Sequence, residues 1–148
     1  MRFLLVDRIL SLERDKTATG LKNVTMSEDY LNFHFPHFPV MPGMLIAEAL
    51  VQLADWVIRE GSDFQRMGVA NSFEQMKFYQ LVQPGDQLRL QVQLGEQRDG
   101  LAQVKGSAFC DEQRMAMVQF SLTIQPLERY LPPAEARLMY QLLTRTAT

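Results

Sequence analysis

The sequence contains few of the residues that usually hold disulfides or metal ions. Among 148 residues there are one cysteine and two histidines. A single cysteine excludes a disulfide within the chain. Cys110 lies in an apolar, strand-like stretch, which favours a small core residue over a nucleophile. We therefore expect neither a metal ion nor a cofactor.

An excess of charge of one sign is also missing. The chain has 15 basic and 17 acidic residues, for a net charge of −2. These charges are mixed along the sequence, so no nucleic-acid partner is expected. The first apolar run, residues 3–6, is too short for a signal peptide. The longer apolar stretch, 40–58, contains Pro42, Glu48 and Asp55, which would be costly in lipid, so no membrane partner is expected either. We expect a cytoplasmic protein forming one domain over residues 1–148.

Hydrophobic periodicity predicts one long helix and several strands. The helix is expected over 43–59, because it begins after Pro42 and is apolar nearly all round. Gly68 is assigned to the loop that follows it. Alternating apolar and polar residues predict strands, and turns are expected at 14–16, 84–86, 98–100 and 111–113. The predicted strands are 3–12, 17–25, 72–81, 88–94, 102–108 and 116–124.

These patterns together predict an α+β fold. Successive amphipathic strands form an antiparallel sheet with one covered face, and the apolar helix covers it. We expect the sheet to wrap around this central helix. A C-terminal extension, about 126–148, adds a surface helix near 134–145. Its expected buried side consists of Leu138, Met139, Leu142 and Leu143.

A loop rich in proline carries both histidines just before the helix. Pro36, Pro39 and Pro42 restrict its backbone, and the sequence around His34 is aromatic. A lone histidine in such a loop is more often a packing residue than a catalytic one. Here the loop ends at Gly43, whose N–H lies at a helix N-terminus and can stabilise a developing oxyanion. The combination favours catalysis by His34.

The polar residues of the helix are Glu48, Gln52 and Asp55. Their spacing places them on one stripe of an otherwise apolar helix. A carboxylate there needs a partner, and Gln52, one turn along, can hydrogen-bond Glu48. A purely structural hydrogen-bond cluster is the alternative. Asp55, in the later half of the helix, is expected to reach solvent.

Other chemistries find little support. A metal site at His34 and His37 lacks further Cys or His ligands, and Pro36 prevents the helix that would align the two rings. No serine nucleophile motif is present. A base, an acid and a polarising amide instead suit β-elimination of water from a 3-hydroxyacyl group.

The loop and helix resemble those of the 3-hydroxyacyl-acyl carrier protein dehydratases of the FabZ/FabA type, which have the hotdog fold. The family pattern is roughly G-H-F-P-G-x-P-(V/I)-M-P-G-x-L-x-x-E-A-x-x-Q. The matching positions are His34-Phe35-Pro36, Pro39-Val40-Met41-Pro42-Gly43, Leu45, Glu48-Ala49 and Gln52. The likeness covers nearly all of residues 3–125.

The resemblance implies a role for each matching residue. His34 would be the base at C2, and Glu48 the acid acting on the C3 hydroxyl. The Gly43 N–H would bind the thioester oxygen, the Val40 carbonyl would orient His34, and Gln52 would position Glu48. The resemblance also implies that an acyl carrier protein is the partner. It further implies a homodimer, or an oligomer of dimers, in which each site combines the His of one subunit with the Glu of another. Residue 48 is Glu rather than Asp. In this the chain resembles the branch of the family that only dehydrates more than the branch that also isomerises the double bond.

Several positions differ from the family pattern. Phe33 and His37 replace glycines, and with Phe38 they form a candidate entrance for the acyl chain. Asp55 replaces a small residue, and the C-terminal helix is an addition. These differences favour a specialised lipid or polyketide pathway over general fatty-acid synthesis. A non-catalytic acyl-binding or partner-supporting subunit and a hotdog thioesterase are the alternative functions.

Overall fold

One long helix, α1 (Gly43–Gly61), occupies the centre of the fold in the computed structural model, which describes residues 3–146. Pro42 precedes it with φ −56°, a conformation that proline adopts without strain. The buried residues of α1 include Ala47, Leu50, Leu53 and Val57, all at 0% exposure. Its nearly continuous apolar surface is thus used for packing, as predicted. Neither α1 nor any other helix within the described residues is long and apolar enough to cross a bilayer.

A six-stranded antiparallel sheet contacts this helix. Its spatial order is β1-β2-β4-β5-β6-β3, so β1 and β3 are the edge strands. β3, which follows α1 in the chain, lies at one edge of the sheet. β1 and β2, which precede α1, lie at the other side. The architecture confirms the predicted α+β hotdog fold. The strands are β1 (Arg8–Glu13), β2 (Thr17–Asn23), β3 (Arg66–Phe78), β4 (Gln87–Arg98), β5 (Leu101–Cys110) and β6 (Gln113–Pro126).

The three strands of the second half form a meander with one buried face. Leu90 of β4 pairs with Ala108 of β5, and both are fully buried, whereas Gln91 faces outward. The turn between β4 and β5 is Asp99-Gly100, with φ angles of 54° and 75°. Two successive positive φ values define the type I′ turn that matches the twist of paired strands. The hairpin predicted from the Asp-Gly dipeptide is confirmed.

The boundaries of every strand differ from the prediction by one or more residues, and the largest differences are at the starts of β3 and β1. β3 begins at Arg66 rather than at 72, so Gly68 lies inside a strand and not in a loop. A Cβ at Gly68 would approach side-chain carbons of Ile58 and Leu122 to 2.8 Å. Close packing against these two side chains, and not a turn, therefore favours glycine here. β1 begins at Arg8 rather than at 3.

The C-terminal helix α2 (Pro133–Thr144) packs against the end of α1. The ring of Tyr140 lies 6.0 Å from that of Trp56 and 5.6 Å from that of Phe64. Ala136 is buried and Met139 and Leu143 are partly buried, as a stripe of positions spaced three and four apart. Leu138 and Leu142, predicted to be buried, are 55% and 56% exposed. Two short 3₁₀ helices complete the fold, Asp29–Asn32 and Leu127–Arg129.

Candidate active site

His34 is held by hydrogen bonds at both its backbone and its ring. Its backbone N–H donates to the carbonyl of Tyr30 at 3.1 Å, and its carbonyl accepts from the Val40 N–H at 3.0 Å. Ring atom Nδ1 lies 3.0 Å from the Val40 carbonyl oxygen. A carbonyl can only accept, so Nδ1 carries the proton and donates. In the neutral ring, Nε2 is therefore the basic nitrogen, and the Val40 carbonyl sets its direction.

The aromatic residues of the loop lie around and outside this histidine. The ring of Phe35 stacks on that of His34, with 4.2 Å between centroids. Phe33 is 82% exposed, Phe38 is 50% exposed, and His37 also faces solvent. The structure thus places all three candidate entrance residues on the outer surface of the loop. Their effect on the acyl chain stays a prediction.

Gly43 forms the first residue of α1, next to the histidine loop. The chain is anchored just before it, where the Met41 N–H donates to the Val82 carbonyl at 2.8 Å. The first N–H groups of a helix have no acceptor within the helix, and no acidic side chain lies in this first turn. A Cβ at Gly43 would come within 3.0 Å of the Phe78 ring. Glycine therefore makes room for the Phe78 ring at this position, and its N–H lies in the positive field of the helix N-terminus.

Glu48 and Gln52 form a hydrogen-bonded pair on α1. Gln52 Nε2 donates to Glu48 Oε1 at 3.1 Å and to the Phe3 carbonyl at 2.8 Å. Gln52 Oε1 accepts from the Leu5 N–H at 2.9 Å. These two backbone contacts define which end of the amide faces Glu48. The N-terminal segment thus orients Gln52, a function that its sequence did not suggest.

Asp55 is buried, and the prediction that it reaches solvent is wrong. It is 8% exposed and its Oδ1 accepts from the Gly68 N–H at 2.7 Å. Its Oδ2 lies 2.7 Å from Arg59 Nη2. Burial raises the pKa of the Asp55 carboxyl, although the Arg59 charge and the Gly68 N–H oppose this shift. The i, i+4 spacing of Asp55 and Arg59 was the signal that could have revealed the pair.

A groove of about 910 Å³ opens beside Glu48. Gln52 and Asp55 also line it, together with residues of β3 and α2. Of the described residues 33–43, which include His34 and Gly43, none lines this groove. The predicted site residues therefore form two groups in one chain. One consists of His34, Val40 and Gly43, and the other of Glu48 and Gln52.

A buried lysine lies beneath the segment that leads into the histidine loop. Lys22 is 4% exposed, and its Nζ is 2.6 Å from Glu28 Oε1 and 3.6 Å from Asp7 Oδ2. Glu28 directly precedes the 3₁₀ helix from which the Tyr30 carbonyl accepts the His34 N–H. The ion pairs thus attach the start of the loop to the sheet. Sequence periodicity gave no sign of this cluster, because its three members lie in separate segments.

An oriented imidazole, a positioned carboxyl group and a helix N-terminal amide on a hotdog domain define a candidate acid/base site. Comparison with known families agrees with this class. Residues 1–119 match the model of the FabA-like domain. The chain belongs to the FabA-like family.

The most similar relatives include proteins named 3-hydroxyacyl-[acyl-carrier-protein] dehydratase FabZ. The one from Caldanaerobacter subterraneus subsp. tengcongensis is 42% identical over 118 residues, which is 79% of this chain and 84% of that protein. The one from Bacillus pumilus is 42% identical over 126 residues, which is 84% of this chain and 87% of that protein. The resemblance to the FabZ/FabA type is confirmed.

Solved structures of low sequence identity share the fold. The protein smu.793 of Streptococcus mutans, bound to acetyl CoA, aligns with TM-score 0.64 at 14% identity over 80% of this chain and 88% of that one. The dehydratase heterocomplex ApeI:P of Xenorhabdus doucetiae aligns with TM-score 0.59 at 20% identity over 76% of this chain and 92% of that one. At such identities the likeness concerns the fold alone.

Proposed function

We propose that this protein removes water from 3-hydroxyacyl groups carried on acyl carrier protein and forms trans-2-enoyl thioesters. The observation that carries the proposal is the ring of His34, whose Nδ1 is engaged by the Val40 carbonyl at 3.0 Å. This contact leaves Nε2 as the base. Family membership and the names of the FabZ relatives support the same reaction. The product would enter fatty-acid synthesis or a related specialised lipid or polyketide pathway.

The chemistry requires one base and one acid. His34 Nε2 takes the proton from C2, and the electron pair of that C–H bond becomes the second bond between C2 and C3. The C3–O bond breaks as Glu48, which begins protonated, gives its proton to the departing hydroxyl and releases water. The Gly43 N–H donates to the thioester oxygen, where negative charge develops. Transfer of a proton from His34 back to Glu48 through solvent restores the starting state.

Gln52 supports the acid in this scheme. Its Nε2 donates to Glu48 Oε1, which leaves Oε2 for the substrate hydroxyl. Because two backbone groups fix the Gln52 amide, the carboxyl group keeps its direction before substrate binds.

We infer that the working form is a homodimer or an oligomer of dimers. Within one chain the groove at Glu48 is not lined by the His34 loop, so a second chain is the natural source of the base. The edge strand β3 supports such pairing, because it is 13 residues long and has unpaired backbone groups along its free side. Exposed apolar side chains on β3 include Val69, Phe73, Met76 and Phe78.

Activity assays test the reaction. The purified protein, given 3-hydroxyacyl carrier protein, should form the trans-2-enoyl thioester and hydrate it in reverse. His34→Ala and Glu48→Gln should each lower kcat by about 10²–10⁴ while the protein stays folded. His37→Ala and Glu112→Gln are matched controls that should retain turnover, since both residues are exposed.

Absence of turnover with every chain length, on carrier protein or coenzyme A, would favour the non-catalytic acyl-binding or partner-supporting subunit. Thiol release without enoyl product would favour a thioesterase.

Mixing the two inactive variants tests the shared site. When His34→Ala and Glu48→Gln chains exchange subunits, each mixed dimer has one site that contains both intact residues. Such mixtures should regain part of the wild-type activity. If labelled subunits are seen to exchange and no activity returns, the two residues do not act across a dimer interface.

A further inference from the structure

The groove at Glu48 has a wall that the family match does not include. The α1 wall contains Glu48, Gln52 and Asp55, and the N-terminal half of β3 closes a second side. The third side is α2, at residues 133–144, which lies beyond the matched residues 1–119. A property set by α2 would therefore lie outside the matched domain.

Two side chains of α2 contact the C-terminal part of α1 and the residues just after it. Arg137, early in α2, donates to the Asp63 carbonyl at 2.9 Å, just past the end of α1. Tyr140, further along α2, packs against Trp56 within α1. Leu138 and Leu142 lie about one turn apart on α2. Both leucines line the groove and are more than half exposed, so the packing of the single chain does not use them.

The far end of the groove is charged. Arg59 lines it and pairs with Asp55, and its guanidinium carbon lies 4.7 Å from the Trp56 ring centroid. Both Asp55 oxygens are already bound, Oδ1 by the Gly68 N–H and Oδ2 by Arg59 Nη2, whereas the buried Nε of Arg59 has no hydrogen-bond partner among the described residues. At 1.5 Å per residue, α1 rises about 10 Å from Glu48 to Asp55. An apolar path of that length thus begins at the proposed acid and ends at an ion pair.

We propose that this groove holds the tail of the acyl chain, and that Leu138 and Leu142 of α2 and the Asp55–Arg59 pair select chains of medium length. The inference rests on the proposed function, because Glu48 marks where C3 of the substrate lies. Each methylene placed against the leucines strengthens binding by about fourfold. A longer tail would have to pass the ion pair and remove its remaining water, which is unfavourable.

The test uses a double variant, Leu138→Gln with Leu142→Gln. Glutamine is similar in size and helix propensity, and both positions are more than half exposed, so α2 should remain folded. The wild type should prefer 3-hydroxydecanoyl carrier protein over the 3-hydroxybutyryl and 3-hydroxyhexadecanoyl forms. The double variant should lower the ratio of kcat/KM for decanoyl over butyryl substrate by about tenfold or more. Leu10→Gln is the matched control, since Leu10 is 45% exposed on β1 and should leave the ratio unchanged.

A second double variant tests the charged end. Asp55→Asn with Arg59→Met keeps an acceptor for the Gly68 N–H and replaces the ion pair by neutral groups. It should raise the ratio of hexadecanoyl to decanoyl turnover. If this ratio is unchanged in a variant that still unfolds cooperatively on heating, the Asp55–Arg59 pair does not select acyl-chain length.

Binding gives a readout that does not depend on turnover. Trp56 is the only tryptophan and lines the groove, so its fluorescence reports occupancy. Titration with 3-hydroxydecanoyl pantetheine should change this signal, and the leucine double variant should weaken the measured affinity by about tenfold. If the wild type is inactive on every substrate but shows this binding, the proposed reaction fails and the acyl groove stands.

Two results would overturn the inference. In one, the leucine double variant is active and neither its chain-length ratio nor its affinity changes. In the other, it turns an oligomer into smaller species by light scattering while the ratio is unchanged, which would show that α2 contacts a second copy of the chain.

Discussion

Gln52 donates a hydrogen bond to Glu48 at 3.1 Å while its other contacts are to the backbone of Phe3 and Leu5. One amide thus connects the proposed acid on α1 to the N-terminal segment. The arrangement makes Gln52 a positioning residue, and the loss of its side chain should affect stability and activity separately.

Gln52→Met tests this connection. The Phe3 carbonyl and Leu5 N–H would lose their partner, so the free energy of unfolding should fall by about 1–3 kcal/mol. Turnover should fall by roughly tenfold, less than for Glu48→Gln, because the acid itself remains. Urea denaturation and steady-state kinetics measure the two effects. Gln103→Met, on the exposed face of β5, is the control. A variant with full activity and normal stability would show that the amide positions nothing.

Lys22→Met tests the ion pairs beneath the histidine loop. Removal of the ammonium leaves Glu28 and Asp7 without their cation, and the lysine side chain is only 5% exposed. Loss of one partner of a buried pair should lower the free energy of unfolding by about 3 kcal/mol. Chemical denaturation provides the measurement, with Lys105→Met on the exposed face of β5 for comparison. Equal stabilities for the two variants would contradict this account of the loop.

Asp55 should make stability depend on pH. Burial raises its pKa above the ordinary value of 3.8, so the folded state keeps a proton that the unfolded state has lost. The unfolded state then binds fewer protons, and the free energy of unfolding falls as pH rises from about 3.8 to the raised pKa. The stability of wild type minus that of Asp55→Asn should therefore decrease across this window and stay level above it.

Denaturant titrations at a series of pH values measure this difference. Asp99→Asn is a suitable control, because Asp99 lies in an exposed turn whose positive φ asparagine also accepts. The opposite result is a free energy of unfolding of the wild type, relative to Asp55→Asn, that increases with pH. It would mean that pairing with Arg59 lowers the pKa of Asp55 more than burial raises it.

His37→Gly tests the predicted entrance. His37 is exposed and Phe38 beside it is 50% exposed, so removal of the imidazole should widen the approach without touching the His34 ring. We expect a changed preference among acyl chains, by about threefold to tenfold in relative kcat/KM, and nearly constant turnover of the best substrate. A chain-length series measured for this variant and for His34→Ala decides between the two histidines. Turnover that disappears in His37→Gly and persists in His34→Ala would reverse the assignment of the base.

Much of the fold follows from local sequence patterns. The central helix was predicted over 43–59 and observed over Gly43–Gly61, because an apolar surface all round a helix can only be buried. The strands β4, β5 and β6 and the Asp99-Gly100 turn followed in the same way, from alternation and from a dipeptide that favours positive φ.

What local patterns missed were partners that are distant along the chain. Gly68 resembled a loop residue until the structure placed it between Ile58 and Leu122. Asp55 is buried because Arg59 and the Gly68 N–H compensate its charge. Leu138 and Leu142 have the spacing of a buried stripe, but the contacts of α2 turn a neighbouring stripe toward the core.

The sequence by itself determined the chemical groups of the candidate site, because the residue types at 34, 43, 48 and 52 and their spacing are local properties. Only the tertiary structure decided where each group lies and what holds it. The Val40 carbonyl directs His34, the N-terminal segment directs Gln52, and α2 forms a wall of the Glu48 groove. The physical reason is that periodicity reports which face of an element is apolar, whereas the choice of its partner depends on packing and hydrogen bonding across the whole chain.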